Sequence, residues 1–168
     1  ALILEDDPYG QLHFGPPPPP SLWQMGRASG RVVVVNTFSK NWAMTGWRIG
    51  WLAATPQLGG VIENLIQYSS SGTPTFTQRA ATAALTGGEA FLTEQVERAR
   101  RGAAIVCYAL RSTGRVRFAE PDGGFYVFFA VEGEDDTRAL ALRLIDEAGV
   151  GLAPGAAFGA PGRSFLRL

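Results

Sequence analysis

The sequence has almost no cysteine or histidine. Cys107 is the single cysteine among 168 residues, which excludes an internal disulfide, and His13 is the single histidine. No group of His, Cys and carboxylates has metal-ligand spacing, so no metal is expected. Charge of one sign is lacking too: fifteen Lys and Arg balance fifteen Asp and Glu. No basic cluster is interleaved with aromatics, which argues against nucleic acid as a partner. No apolar run reaches the length of a membrane span, and there is no signal-peptide pattern. The expected setting is therefore a reducing cytoplasm, without a membrane partner. The Gly-x-x-x-x-Gly-Lys phosphate loop is missing. Gly149-x-Gly151 opens like a dinucleotide fingerprint, but position 154 is proline and no long helix follows, so that reading fails. Cys107 lies in the apolar run from Ala103 to Leu110 and reads as a packed core residue, not a nucleophile.

What is present is hydrophobic content of 46%, ample for a core, in a length that suits one ordinary domain or two small ones. The run Val32-Val33-Val34-Val35 is short, β-branched and does not alternate, which predicts a buried strand of a parallel sheet. It leads into Asn36-Thr37-Phe38-Ser39-Lys40-Asn41-Trp42-Ala43-Met44-Thr45-Gly46-Trp47-Arg48-Ile49-Gly50. Hydroxyls, a lysine and an arginine thus follow the carboxyl end of a strand, the edge at which open α/β sheets bind ligands. A lysine emerging from apolar surroundings suits imine chemistry. Arg48 is a planar fork suited to a phosphate or carboxylate. A lone lysine after a strand is more often simply solvated; the whole string carries the argument.

Thr37-Phe38-Ser39-Lys40 and Met44-Thr45-Gly46-Trp47-Arg48-Ile49-Gly50 resemble the lysine segment of class I/II aminotransferases, the fold-type I enzymes dependent on pyridoxal 5'-phosphate (PLP). The resemblance implies that Lys40 holds PLP as an aldimine. It assigns the cofactor's phosphate to Arg48 and Thr37, with Ser39 as a helper. Asp6-Asp7-Pro8-Tyr9 follows the apolar Ala1 to Leu4. On its own it reads as a buried strand running into a turn. Beside the lysine segment it resembles the family's Asp-x-x-Tyr motif. Asp6 would then pair with the pyridine nitrogen and Tyr9 would hydrogen-bond the ring's phenolic oxygen, leaving Glu5 and Asp7 as solvated or capping groups. At the other end, Ala153-Pro154-Gly155, Phe158-Gly159 and Phe165-Leu166-Arg167-Leu168 also resemble the family, which assigns the substrate's α-carboxylate to Arg167.

Elsewhere the patterns are local. Pro16 to Pro20 predicts an extended connection. Ser21 to Met25 predicts a helical turn, Trp51 to Ala54 a strand, and Gln57 to Ser69 a helix. Thr75 to Leu85 predicts another helix, and Glu89 to Leu110 a long amphipathic one. Val116 to Phe118 and Phe125 to Phe129 read as a strand pair around Pro121-Asp122-Gly123-Gly124. Thr137 to Ala148 is an amphipathic helix ended by Gly149, and Ser164 to Leu168 has strand character. In the resembled family the loop from Ser69 to Pro74 lies near the neighbouring subunit's active site, which makes Thr73 and Thr75 candidates for contacts across a dimer.

The fold implied by the resemblance is α/β. Residues 1–88 would be part of a PLP-binding large domain with a mostly parallel sheet. Residues 89–113 would be an interdomain helix, and 114–168 a small α+β domain. The chain carries no initiator methionine and both ends are strand-like, so a fragment lacking its N-terminal half is expected. The implied function, in the full-length parent, is transamination between an α-amino acid and a 2-oxo acid by a homodimer. A related PLP enzyme, such as a carbon–sulfur β-lyase or a cyclopropane-forming synthase, would share every residue named. The aminotransferase-like ligand domain of a transcription regulator is the further alternative.

Overall fold

The computed structural model describes residues 1–16 and 18–168. It divides into two compact units, 1–97 and 98–168. The expected extended connection over Pro16 to Pro20 lies in part outside the described residues, at Pro17.

The first unit is built on a three-stranded sheet. Strand β1 (Ile3–Asp6) pairs in parallel with β2 (Val32–Thr37), and β2 pairs antiparallel with β3 (Gly50–Ala53), in the order β1-β2-β3. Val32 and Val34 are buried, as the valine run implies. The first strand departs from expectation, because Leu2, Ile3 and Leu4 are exposed: β1 is paired on one side alone among the described residues, and neither of its faces is covered. Helix α1 (Leu22–Gly26) joins β1 to β2, with the Ser21 hydroxyl capping the Trp23 N–H. The single turn α2 (Phe38–Asn41) follows β2 directly. Helices α3 (Pro56–Ser69) and α4 (Thr75–Gly87) come next. The apolar stripe that predicts α3 faces outward, with Val61, Leu65 and Ile66 exposed. The core of this unit instead forms between α4 and the lysine segment, where Ala81 packs with Phe38, Trp42, Met44 and Ile49.

Helix α5 (Glu89–Ser112) runs across the division between the units. The second unit continues with β4 (Val116–Phe118), β5 (Phe128–Val131), α6 (Thr137–Ala148), β6 (Ala153–Pro154) and β7 (Leu166–Arg167). These strands form an antiparallel sheet in the order β4-β5-β7-β6. Helix α6 has the predicted bounds because both ends are marked locally. The Asp136 carboxylate accepts the Ala139 N–H at 3.0 Å, and Gly149 takes the left-handed conformation (φ 66°) that closes the helix. Strand β5 starts three residues later than Phe125. Gly124 turns at positive φ (69°), and what holds β5 is its pairing of Phe129, Ala130 and Val131 with β4. Strand β7 is shorter than predicted, since the Phe165 N–H is taken by the Gly162 carbonyl at 2.8 Å.

Cys107, Val127, Phe129, Leu140, Ala141 and Leu166 make the core of the second unit. Burial pushes the Cys107 thiol's pKa up, which suits a packing residue and not a nucleophile. Among the described residues no helix is long and apolar enough to cross a membrane.

Candidate active site

Strands β1 and β2 end side by side. Asp6 is in register with Val35, and the Asp7 N–H donates to the Val35 carbonyl at 3.0 Å. The carboxyl ends of two parallel strands therefore form one edge, the place where an open sheet leaves room for a ligand.

Three carboxylates leave β1 in succession, and the structure sorts them. Glu5 accepts from the Ser21 hydroxyl (2.9 Å) and from the Leu22 N–H (3.1 Å), so it belongs to the start of α1. Asp7 folds back on its own turn and accepts the Gly10 N–H. A β-carbon on Gly10 would collide with that carboxylate. Partial burial, with the neighbouring Glu5 charge, raises the Asp7 pKa above the ordinary value of 3.8, while the Gly10 bond opposes the rise. Asp6 is exposed, and among the described residues no group pairs with its carboxylate. Asp6, three residues before Tyr9, is thus the carboxylate of the three left uncommitted. Tyr9 is half-buried, with its carbonyl accepting the Leu12 N–H at 2.8 Å.

On the β2 side, Thr37 is the hinge between strand and turn. Its backbone is extended (φ −137°, ψ 149°), and its hydroxyl oxygen accepts the Ser39 N–H at 3.1 Å. Its single hydroxyl hydrogen goes either to Ser39 Oγ (2.9 Å) or to the Ile49 carbonyl (3.3 Å). In α2, Phe38, Ser39 and Asn41 are buried and Lys40 alone is not. Packing of Phe38 on Trp42, with ring centroids 5.1 Å apart, holds the turn so that Lys40 projects from it. Among the described residues, no hydrogen bond or counter-ion engages Lys40 Nζ. Next to it, the Asn41 amide and the Trp42 indole N–H are buried without partners among the described residues. Such groups oppose folding by about 1–3 kcal/mol each, and the aromatic packing must outweigh that.

The segment then doubles back. The Phe38 N–H donates to the Ile49 carbonyl and the Met44 N–H to the Phe38 carbonyl, both at 3.2 Å. Ala43 (φ 52°) and Arg48 (φ 50°) both occupy the left-handed region, at a cost of about 1–2 kcal/mol each for residues with a β-carbon. The Thr45 hydroxyl donates to the Ser39 carbonyl at 3.1 Å, and Arg48 Nη1 to the Thr45 carbonyl at 3.2 Å. Arg48 is exposed and, among the described residues, has no carboxylate partner. One hydrogen-bonded chain thus links Thr37, Ser39, Thr45 and Arg48. It brings three hydroxyls together with a guanidinium that gives one N–H to the Thr45 carbonyl and, among the described residues, keeps the others uncommitted, a donor set that fits a phosphate.

Arg167 belongs to the second unit. On β7 it pairs with Phe128 on one side and Ala153 on the other. Leu166 beside it is 1% exposed, whereas Arg167 is half-buried, as alternation along the strand requires. Its guanidinium carbon lies 4.3 Å from the centre of the Tyr126 ring and 4.1 Å from that of Phe158. Among the described residues, no acceptor takes up its N–H groups. Nothing in the sequence by itself assigns a role to Tyr126 or Phe158. Tyr126 lies in the apolar stretch Phe125 to Phe129, and Phe158 in the Phe158-Gly159 pair of the C-terminal resemblance.

The family model described as "Aminotransferase class I and II" matches residues 1–168. The aspartate aminotransferase of Thermotoga maritima is 34% identical over 88% of this chain and 37% of its own length. The valine–pyruvate aminotransferase of Mycobacterium tuberculosis is also 34% identical, over 99% of this chain and 43% of its own. Among solved structures, the α-aminoadipate aminotransferase of Thermus thermophilus, complexed with N-(5'-phosphopyridoxyl)-L-leucine, superposes with a TM-score of 0.86. Its identity is 29%, over 99% of this chain and 44% of that one. The chain spans about two fifths of the length of the curated relatives it matches.

Proposed function

This chain belongs to the class I and II aminotransferase family, and on that premise we propose that it carries the lysine half of a PLP-dependent transaminase. The observation that carries the reading is a set of charged groups left without counter-ions. Asp6, Lys40 and Arg48 project from one sheet-edge region, and among the described residues none is engaged by an opposite charge. Unpaired charges grouped at the mouth of an α/β sheet are expected where a ligand supplies the complement.

The donor set fits PLP. Arg48, with the hydroxyls of Thr37 and Ser39, would hold the phosphate. Asp6 would face the pyridine nitrogen, Tyr9 the phenolic oxygen, and Lys40 the carbonyl carbon. When bound, the cofactor supplies an electron sink for the carbanion formed at the substrate's α-carbon. The protein's own part is acid–base chemistry and positioning. Lys40 Nζ would take the proton from the substrate's α-carbon and return it to the cofactor's C4′ carbon, a role worth roughly 10²–10⁴-fold. The Asp6 carboxylate would keep the facing nitrogen protonated, and Arg167 would hold the carboxylate of the amino acid or 2-oxo acid by two parallel hydrogen bonds. The same reading includes a homodimer, with the loop from Ser69 to Pro74 toward the neighbouring site, and a cytoplasmic setting.

Borohydride reduction of the PLP-loaded protein, followed by peptide mass mapping, tests the reading. A pyridoxyl group on Lys40 is the expected result. An adduct on another residue, or none, refutes it.

A further inference from the structure

The Arg167 guanidinium is flanked by two aromatic rings and has no acceptor along its edge. We propose that Tyr126 and Phe158 are positioning residues, which set the plane of the Arg167 guanidinium for two-pronged capture of the substrate carboxylate. The inference rests on the reading of Arg167 as the carboxylate anchor and deepens it.

Both ring centres lie well within the roughly 6 Å over which a cation is attracted to an aromatic face. Tyr126 and Phe158 therefore restrict the rotamers of a long side chain before any ligand arrives. Five N–H donors lie in the guanidinium plane. Ring contacts use none of these donors as a hydrogen bond would, so the donors remain for a planar anion.

Each ring is itself braced. The Phe158 ring meets the Phe128 ring edge-on at 6.1 Å, and Phe128 stacks on Phe165 at 4.8 Å with only 9° between their planes. Tyr126 lies 4.6 Å from Phe125. Its neighbour Val127 is locked to the chain end by reciprocal hydrogen bonds with Leu168, at 3.1 and 3.0 Å. The loop carrying Phe158 is pinned by Gly155, whose N–H donates to the Phe165 carbonyl at 2.7 Å. A β-carbon on Gly155 would strike the Gly162 and Phe165 carbonyls. Braced rings flanking one otherwise unpartnered cation make a preorganised anion clamp, and preorganisation lowers the cost of binding. Sequence proximity alone would not assemble it, since Tyr126, Phe158 and Arg167 come from three separate stretches of the chain.

The contact would form with substrate and persist through the reaction, so its loss should raise KM while kcat changes little. The test uses the holoenzyme, its best α-amino acid donor, and the amine of the same side chain lacking the carboxylate. Phe158→Leu and Tyr126→Leu should each raise KM for the amino acid by about 3- to 10-fold, with kcat within about twofold. The apparent Kd of the matching 2-oxo acid should weaken in parallel, and the carboxylate-free amine should be unaffected. Tyr126→Phe and Phe158→Tyr, which keep the ring faces, should restore KM. Equal losses for the amino acid and the amine would mean a structural role alone and overturn the proposal. So would leucine variants with an unchanged amino-acid KM. Arg167→Lys separates the two readings. If it impairs every amino acid while the leucine variants do not, the anchor stands and the positioning role falls. If it spares amino acids, both fall.

Discussion

Replacing Thr37 by valine keeps the side chain's shape and removes its oxygen. In the structure that oxygen accepts the Ser39 N–H at 3.1 Å and lies 2.9 Å from Ser39 Oγ and 3.3 Å from the Ile49 carbonyl. Two losses should follow, and they are separable. The first is structural: removing a hydroxyl cap at the start of a helical turn costs about 0.5–2 kcal/mol. It should appear as reduced stability of the apo-protein in denaturant. The second is functional. If the hydroxyl also donates to the cofactor's phosphate, the lost bond is one to a charged group, worth about 1.5–3 kcal/mol. That corresponds to PLP affinity weaker by about 10- to 160-fold. Spectroscopic titration of the apo-protein with PLP measures it directly. Thr37→Ser retains the oxygen and should recover most of both losses. If Thr37→Val lowers stability by the cap's amount and leaves the PLP Kd within about twofold, the hydroxyl serves as a cap only. The phosphate assignment of Thr37 would then be wrong.

The three carboxylates of β1 should behave differently. Asp6→Asn should keep PLP affinity but lose at least about tenfold in kcat, the value of one charge-assisted bond; a harmless Asp6→Asn would refute its assignment. Asp7→Asn should keep the turn, because the amide oxygen can still accept the Gly10 N–H. The Asp7 pKa is raised on folding, so its stabilising contribution is complete below the ordinary value of 3.8 and is lost as pH rises through the folded-state value. The stability of Asp7→Asn relative to the native protein should therefore increase with pH across that window and then level off. A difference that stays flat or falls in denaturant melts across this window would contradict the burial argument. Leu166→Ala empties a site that is 1% exposed in the core with Phe129 and Leu140, and should cost about 2–5 kcal/mol. A change below about 1 kcal/mol in chemical denaturation would show that the sheet closes over the gap.

Local order was legible without tertiary information wherever the signals act over a few residues. Helix α6 shows why: its apolar spacing, the Asp136 cap and the Gly149 stop all lie within the segment they define. The lysine segment is similar, since Thr37, Ser39, Lys40 and Arg48 sit in one continuous string and their order alone carries the family resemblance. What stayed out of reach depends on contacts made far along the chain. Nothing local says that Leu2, Ile3 and Leu4 of an apolar segment are exposed; that is decided by whether other elements pack on the two faces of β1. Nor does composition tell which carboxylate of Glu5, Asp6 and Asp7 is uncommitted. Glu5 is claimed by Ser21 and Leu22 across a long loop, Asp7 by the turn at Gly10, and only then is Asp6 left over. Strand pairing likewise decided that Phe128 and Ala153 flank Arg167, and folding set Tyr126 and Phe158 against its guanidinium. A sequence determines which residues can cap, turn or alternate, because those preferences are local. Burial and the partner of each charge are decided by pairing between distant segments, which exists only once the chain has folded.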